Sequence, residues 1–419
     1  MPFATRRRAA ALTCAVLVSA LTASLAACGA PSSPSSGPSS SGAAGAASGA
    51  GTGVPDKPSR PVTLNILDVA GNLQLTQDMI DEFVKKNPDV IAKVTYSKAP
   101  APDLVGKIKA QQSAGRVDIG LVLTGVDGLA AGTDQGLWQP LLPAYSSRLS
   151  NMSGYLEPAA AMQKLAGDNG VVVTYYPSGP LLEYLPSKVA NPPTTAEELL
   201  AYAKAHPGKV EYARPANSGP GRTLLMGLPY VLGDSDPKDP VNGWTKTWAY
   251  LKDLGQYVKT YPTGTTQTMK DLANGTADIV ASTTGWDINP RVLGTVPAEA
   301  KITTLKGFHW VTDAHYAVVP KGASADQQAA VLQLVQFMLT KEQQAKAYDS
   351  GYFYPGPAIA GVDLSAAPAK SRDAITKFGR PEYDALIAST PKEVPIDAKA
   401  LVTAFDTWDR QIGAAKGSK

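Results

Sequence analysis

The chain has 419 residues, long enough for two domains or one large one, and its 44% hydrophobic and 18% charged residues are those of an ordinary globular protein. Its formal charge of +3 comes from Arg6, Arg7 and Arg8 alone, so everything after them is neutral on balance and charge gives no argument for a nucleic-acid partner. The two cysteines, Cys14 and Cys28, both lie near the start, which excludes an internal disulfide and a thiol nucleophile from the rest of the chain.

The three arginines are followed by an uncharged apolar run, residues 9–26, too short and too rich in small residues for a membrane span, and then by Leu25-Ala26-Ala27-Cys28. Positive cluster, apolar run and small-residue cleavage site in this order predict a signal peptide over residues 1–27. The last four residues resemble the lipobox of bacterial lipoproteins. That resemblance implies a diacylglyceryl group on the Cys28 thiol and a membrane anchor without a spanning helix. The alternative is an ordinary cleavage site that contains a cysteine. Residues 28–60 are mostly Ser, Gly, Ala and Pro, which cannot bury enough apolar surface to offset chain entropy, and predict a flexible tether reaching about 30 Å.

Folded structure is expected from Val62. Residues 62–67 alternate as a β-branched strand; Met79, Ile80, Phe83 and Val84 then recur at helical spacing until Asn87-Pro88. A strand over 91–96, a helix over 102–112 and a buried strand over 118–123 follow. This alternation predicts an α/β protein with a mostly parallel sheet and ligand loops at the strands' carboxyl ends, here residues 68–72 and 124–128. Residues 170–180 read as a strand running into a Pro/Gly break, a crossing between domains. Beyond it, Thr195 is placed to cap a helix with Glu198 closing the capping box. A glycine-rich turn, residues 215–222, precedes an apolar helix over 223–232; residues 244–258 form an amphipathic helix, and the strand over 278–282 ends in the polar loop 283–287. Residues 308–320 return as a strand, a helix over 325–339 follows, Tyr352, Tyr354, Pro355 and Pro357 make an aromatic loop, and the tail from Leu364 is helical.

Several groups in this order could hold a ligand. Asn217, Ser218, Gly219 and Arg222 stand just before a helix, where unpaired amides and the dipole favour an anionic or hydroxylated group, although the same residues make a plain helix cap. Trp286 beside Asp287, and Trp310 near Asp313, put aromatic faces next to carboxylates and favour a cationic or heterocyclic ligand, although aromatics at strand ends are more often core. His309 and His315, with Tyr175-Tyr176, are the material for a metal site, but no tight cluster with ligand spacing accompanies them, and no metal or cofactor is expected. No G-x-S-x-G elbow, H-E-x-x-H helix or phosphate loop is present, and no catalytic residue is expected.

Taken together, the exported leader, the tether, two α/β halves and a helical tail resemble the substrate-binding proteins of ABC transporters. The motifs that carry the resemblance are Pro192-Pro193-Thr194-Thr195 with Glu197-Glu198-Leu199-Leu200, the turn over 215–222, and Ala317-Val318-Val319-Pro320-Lys321-Gly322-Ala323, which is similar to the returning strand of the polyamine-, thiamine- and iron-binding branches. The resemblance covers residues 62–415. It implies a two-lobed type II periplasmic-binding fold with two hinge crossings, lobe 1 being residues 61–176 plus 313–419 and lobe 2 residues 177–312. It also implies a monomer that takes a small, polar, polyamine- or thiamine-like solute to permease subunits outside the cytoplasm. The paired carboxylates of polyamine binders have no compact counterpart here; the acids available are Asp68, Asp127, Asp287 and Asp313. The expected site is Asp68, Gly71, Asn72, Thr124 and Asp127 at strand ends, Tyr175, Ser178 and Trp310 at the crossings, and Asn217, Ser218, Gly219, Arg222, Trp286, Asp287, Asp313 and His315 across the cleft. A ligand-presenting sensory or adhesion lipoprotein and an exported hydrolase are the alternatives.

Overall fold

The computed structural model describes residues 53–416; the expected signal peptide, Cys28 and most of the expected tether lie outside the described residues. The chain opens with β1 (Val62–Asp68), α1 (Leu73–Lys86), β2 (Ile91–Lys98), α2 (Ala101–Ser113), β3 (Ile119–Thr124) and α3 (Val126–Asp134). It continues through α4 (Glu157–Ala166), β4 (Val171–Gly179), β5 (Leu181–Tyr184), α5 (Ala196–Ala205), β6 (Val210–Glu211), α6 (Gly219–Leu232), α7 (Thr245–Tyr257), α8 (Thr265–Asn274), β7 (Ile279–Ser282), α9 (Thr284–Val292) and β8 (Lys301–Thr303). The return is β9 (Trp310–Val318), followed by α10 (Ala325–Met338), α11 (Lys341–Gln344), α12 (Ala369–Phe378), α13 (Glu382–Ser389), β10 (Lys392–Glu393) and α14 (Ala398–Gln411).

These strands make two sheets, one in the order β10-β9-β3-β1-β2 with β4 paired to β9, the other in the order β6-β7-β5-β8. β1 runs parallel to β2 and β3, whereas β9 lies antiparallel to both β3 and β4. The chain passes from the first sheet to the second between Gly179 and Leu181, and returns between Thr303 and Trp310. The protein is therefore the expected two-lobed α/β fold with two crossings.

Burial follows the sequence pattern. In β1, Leu64 and Ile66 are fully buried, each contributing about 1.5–3 kcal/mol of transfer free energy, while β3 and β9 are buried along their whole length, as central strands covered on both faces must be, and β4, paired to β9, is buried throughout as well. α1 turns Met79, Ile80 and Phe83 inward against this sheet, and α10, started by the capping box of Ser324 and Gln327, packs beside it. The box expected at α5 closes one residue early: Thr195 accepts the Glu198 amide at 3.1 Å, but the Glu198 carboxylate reaches the amide and hydroxyl of Thr194 at 2.8 and 2.9 Å.

Three differences from the sequence reading matter for the site. The polar segments expected as loops at 124–128, 215–222 and 283–287 end in the first turns of α3, α6 and α9, because Ser218 caps the Gly221 amide, Thr283 caps the Trp286 amide, and Gly125 supplies the extended residue before α3. The tether expected to run to residue 60 is docked over its last residues: Ser59 donates through its hydroxyl to Asp326 at 2.6 Å, and Gln333 and Arg148 both donate to the Asp56 carbonyl. Finally, the tail expected beside lobe 1 also grips groups that lie between strands of the second sheet. Trp408 packs edge-on to Tyr212 and Tyr261, and Arg214 pairs with Asp409 at 2.8 Å. Among the described residues no helix is long and apolar enough to cross a membrane.

Candidate functional site

A cavity of about 220 Å³ lies where helices from both lobes begin. Its walls include Gly125 and Asp127 at the start of α3, Ser218 and Gly219 at the start of α6, Gly264, Thr265 and Thr266 at the start of α8, and Trp286 in the first turn of α9. The first amides of a helix have no acceptor within it and carry the positive end of the helix dipole, so four such ends around one space make it electropositive at the backbone. Glycine is required where two of these ends are packed most tightly. A Cβ on Gly221 would stand 2.2 Å from the Ala213 carbonyl oxygen, and one on Gly285 would stand 2.2 Å from the Phe353 amide nitrogen.

Asn217, Arg222, Val69, Ala70, Asp313, His315, Tyr352 and Phe353 complete the wall. Arg222 sits among the acids with 4% of its surface exposed: one guanidinium nitrogen pairs with Asp127 at 3.1 Å and the other with Asp313 at 2.5 Å. Asp313 also accepts the Tyr176 hydroxyl at 3.0 Å and the Ala314 amide at 2.9 Å. Burial pushes the Asp313 carboxyl up, with Arg222 pulling the other way; burial also works against the charge of Arg222, but Asp313 and Asp127 together outweigh it and raise its pKa. Burial lowers His315 well below the usual imidazole range, which keeps it neutral. Behind the charges runs an aromatic stack, Tyr176 on Phe353 at 4.1 Å and Phe353 on Tyr352 at 4.6 Å, with Trp286 edge-on to Tyr352 at 5.9 Å. Phe353 takes a left-handed φ of 55° within it.

The structure brings eight of the expected residues to the cavity: Asp127, Asn217, Ser218, Gly219, Arg222, Trp286, Asp313 and His315. Asp68, Gly71, Asn72 and Thr124 are not part of its wall. Asp68 is turned back to accept the Asn72 amide at 2.8 Å, and burial raises its pKa; Gly71 packs under Tyr352; Asn72 and Thr124 are fully buried. Tyr175 is buried in the β4–β9 ladder opposite Ala314, because neighbours on a strand face opposite ways and Tyr176 takes the cleft side. Ser178 is buried at the crossing with φ 71°. Asp287 and Trp310, expected as contacts, are corrections: both are fully buried away from the cavity wall. Asp287 is bound by Arg291, Arg380 and Tyr383, and Trp310 packs edge-on to Phe308 and donates to the Leu386 carbonyl. His309 faces Glu393 and stacks on Tyr230, far from His315 in role, and among the described residues no three His, Cys, Asp or Glu groups come together to hold a metal ion.

Sequence reasoning missed Thr265, Thr266, Tyr352 and Phe353. The run Thr263-Gly264-Thr265-Thr266 carried the same helix-start signal as Ser218-Gly219 and could have been found, whereas the aromatic loop reaches the cavity only through tertiary packing.

Two α/β lobes meeting at a small polar cavity ringed by helix N-termini define a binding protein for small solutes. The chain belongs to the bacterial extracellular solute-binding protein family, whose match spans residues 78–376, and it accordingly works outside the cytoplasm. No curated protein matches it in sequence. Among solved structures, it is similar to an ABC transporter protein from Clostridium perfringens (TM-score 0.62, 14% identity, 84% of this chain and 100% of that one). It is similar as well to a putative spermidine/putrescine ABC transporter protein from Listeria monocytogenes (0.59, 15%, 84% and 98%). A third is a periplasmic binding protein from Actinobacillus pleuropneumoniae with exogenous fructose-6-phosphate bound (0.58, 14%, 84% and 98%). At this identity the likeness is one of fold.

Proposed function

We propose that the protein is the solute-binding component of an ABC importer and that its solute is a small molecule with an anionic or hydroxyl-rich head group, delivered to membrane permease subunits. The observation that carries this reading is the convergence of four helix N-termini and the Arg222 guanidinium on one cavity of about 220 Å³, small enough to select a compact solute. The solute engages Arg222, Ser218, Gly219, Thr265 and Thr266, with Trp286 and Tyr352 against its less polar side. The lobes, residues 61–176 plus 313–419 and 177–312, close around it through hinges near 176–180 and 310–313, so binding selects the closed state.

The second reading is the cationic, polyamine- or thiamine-like solute expected from sequence. Two carboxylates against one guanidinium, beside the Trp286 ring, favour it. It ranks second because a cation would meet the positive ends of the four helices that begin at the cavity. A thermal-shift panel of sugar phosphates, phosphonates, thiamine and spermidine separates the two: a solute at one hundred times its Kd stabilises by about 2.7 kcal/mol. Anionic solutes are expected to raise the Tm and amines to leave it unmoved; the opposite pattern would sink the first reading.

The anchor is proposed on separate grounds, from Leu25 to Cys28. Cell fractionation of Cys28→Ala is expected to find the protein in the soluble fraction or as uncleaved precursor, and membrane association equal to wild type would rule out lipid on Cys28.

A further inference from the structure

We propose that Asp127 is an internal counter-anion of the cleft: with no solute bound it holds Arg222 across the two lobes, and an anionic solute takes its place on the guanidinium. This rests on the anionic reading of the solute and adds what sets its affinity. Asp127 belongs to α3, which follows β3 of the first sheet, and Arg222 belongs to α6, which follows β6 of the second, so their 3.1 Å ion pair ties one lobe to the other. The two acids on Arg222 are not equivalent. Asp313 is fixed by the Tyr176 hydroxyl and the Ala314 amide and its side chain is 2% exposed. Among the described residues Asp127 has, besides Arg222, only the neighbouring Gly128 amide at 2.9 Å, and its side chain is 10% exposed at the cavity wall. Asp127 is therefore the partner that can yield, while Asp313 keeps the guanidinium aimed.

The consequence is a self-imposed brake. Two carboxylates around one guanidinium leave the site one negative charge in excess, which repels an incoming anion in a setting with little water to screen it. Taking the charge from Asp127 leaves Arg222 balanced by Asp313 alone, with one edge of its fork open to the solute. The pair also sets a specificity: a solute that cannot replace a carboxylate on Arg222 gains nothing from the exchange and leaves the lobes as they were.

The test is Asp127→Asn, which keeps the side-chain shape and the acceptor for the Gly128 amide, with Asp127→Ser as the second variant should asparagine fold poorly. Small-angle scattering of the solute-free proteins is expected to give a larger radius of gyration for the variant, and calorimetric titration with fructose 6-phosphate as probe a Kd at least fivefold tighter than wild type. An unchanged radius of gyration together with equal or weaker probe binding overturns the proposal and leaves the reading of the cleft intact. Should the wild type not bind this probe, the solute-free radius of gyration of Asp127→Asn alone decides whether the latch exists, and the anionic reading stands or falls separately on the thermal-shift panel.

Discussion

Asp287→Ala is expected to lower the stability of the solute-free protein by about 3–5 kcal/mol, the cost of breaking a buried ion network from one side. The carboxylate is fully buried and accepts from Arg291 at 3.1 and 3.0 Å, from Arg380 at 2.7 and 2.5 Å and from the Tyr383 hydroxyl at 2.6 Å. Arg291 comes from its own helix α9, whereas Arg380 and Tyr383 come from the tail, so this one side chain pins the tail to lobe 2. Its loss leaves two guanidiniums without their carboxylate, with Glu183 an acid close enough to feel the charge of both. Burial first and the charge of Asp287 second push the Glu183 carboxyl up, so losing Asp287 eases that shift and recovers part of the loss. Asp287→Asn, which retains the acceptor and the shape, is expected to cost less than alanine. Denaturant unfolding of the solute-free variants measures both. A cleft ligand would behave in the reverse way, losing solute affinity with an unmoved unfolding midpoint, and that outcome would return Asp287 to the binding site.

Arg222→Gln is expected to weaken binding of an anionic solute at least 100-fold, about 2.7 kcal/mol, since truncating one partner of a buried charge-assisted pair commonly costs 2–5 kcal/mol. Its effect on stability depends on pH with a definite sign. Burial already raises the Asp313 carboxyl in the wild type against the pull of Arg222, and removing that pull raises it further. An acid whose folded pKa stands above its unfolded value binds more protons in the folded state, so stability falls as pH rises between the two values. The stability deficit of Arg222→Gln relative to wild type is therefore expected to be smaller at pH 5 than at pH 8. Equal deficits at both pH values would show that Asp313 does not carry the uncompensated charge.

The two lobes and the two crossings were legible because each rests on a local signal of the right period: alternation in β1, the 3.6-residue spacing of Met79, Ile80 and Phe83 in α1, the unbroken apolar runs of β3 and β4. Ser218, Gly219 and Arg222 were legible for the same reason, since a helix start announces itself in the sequence that builds it. Direction was not. Trp286 and Asp287 are adjacent, and as a loop both could face the cleft; in the first turn of a helix, neighbours diverge by about 100°, and here one goes to the cavity wall and the other to Arg380, more than ninety residues away. Trp310 and Tyr175 show the strand counterpart, where period two sends alternate residues into the core. Tyr352 and Phe353 show the limit of local reasoning. Their aromatic loop was evident, but its seat against Tyr176 and Trp286 depends on contacts between segments far apart in the chain.

The most direct measurement is a crystal structure of the protein with whichever solute gives the largest thermal shift. The account predicts the anionic or hydroxyl-bearing end of that solute within hydrogen-bonding distance of Arg222 and of the backbone amides at Gly219, Thr265 and Thr266, with Asp127 displaced from the guanidinium. An amine seated between Asp127 and Asp313, or a solute bound outside the cleft between the lobes, would contradict it.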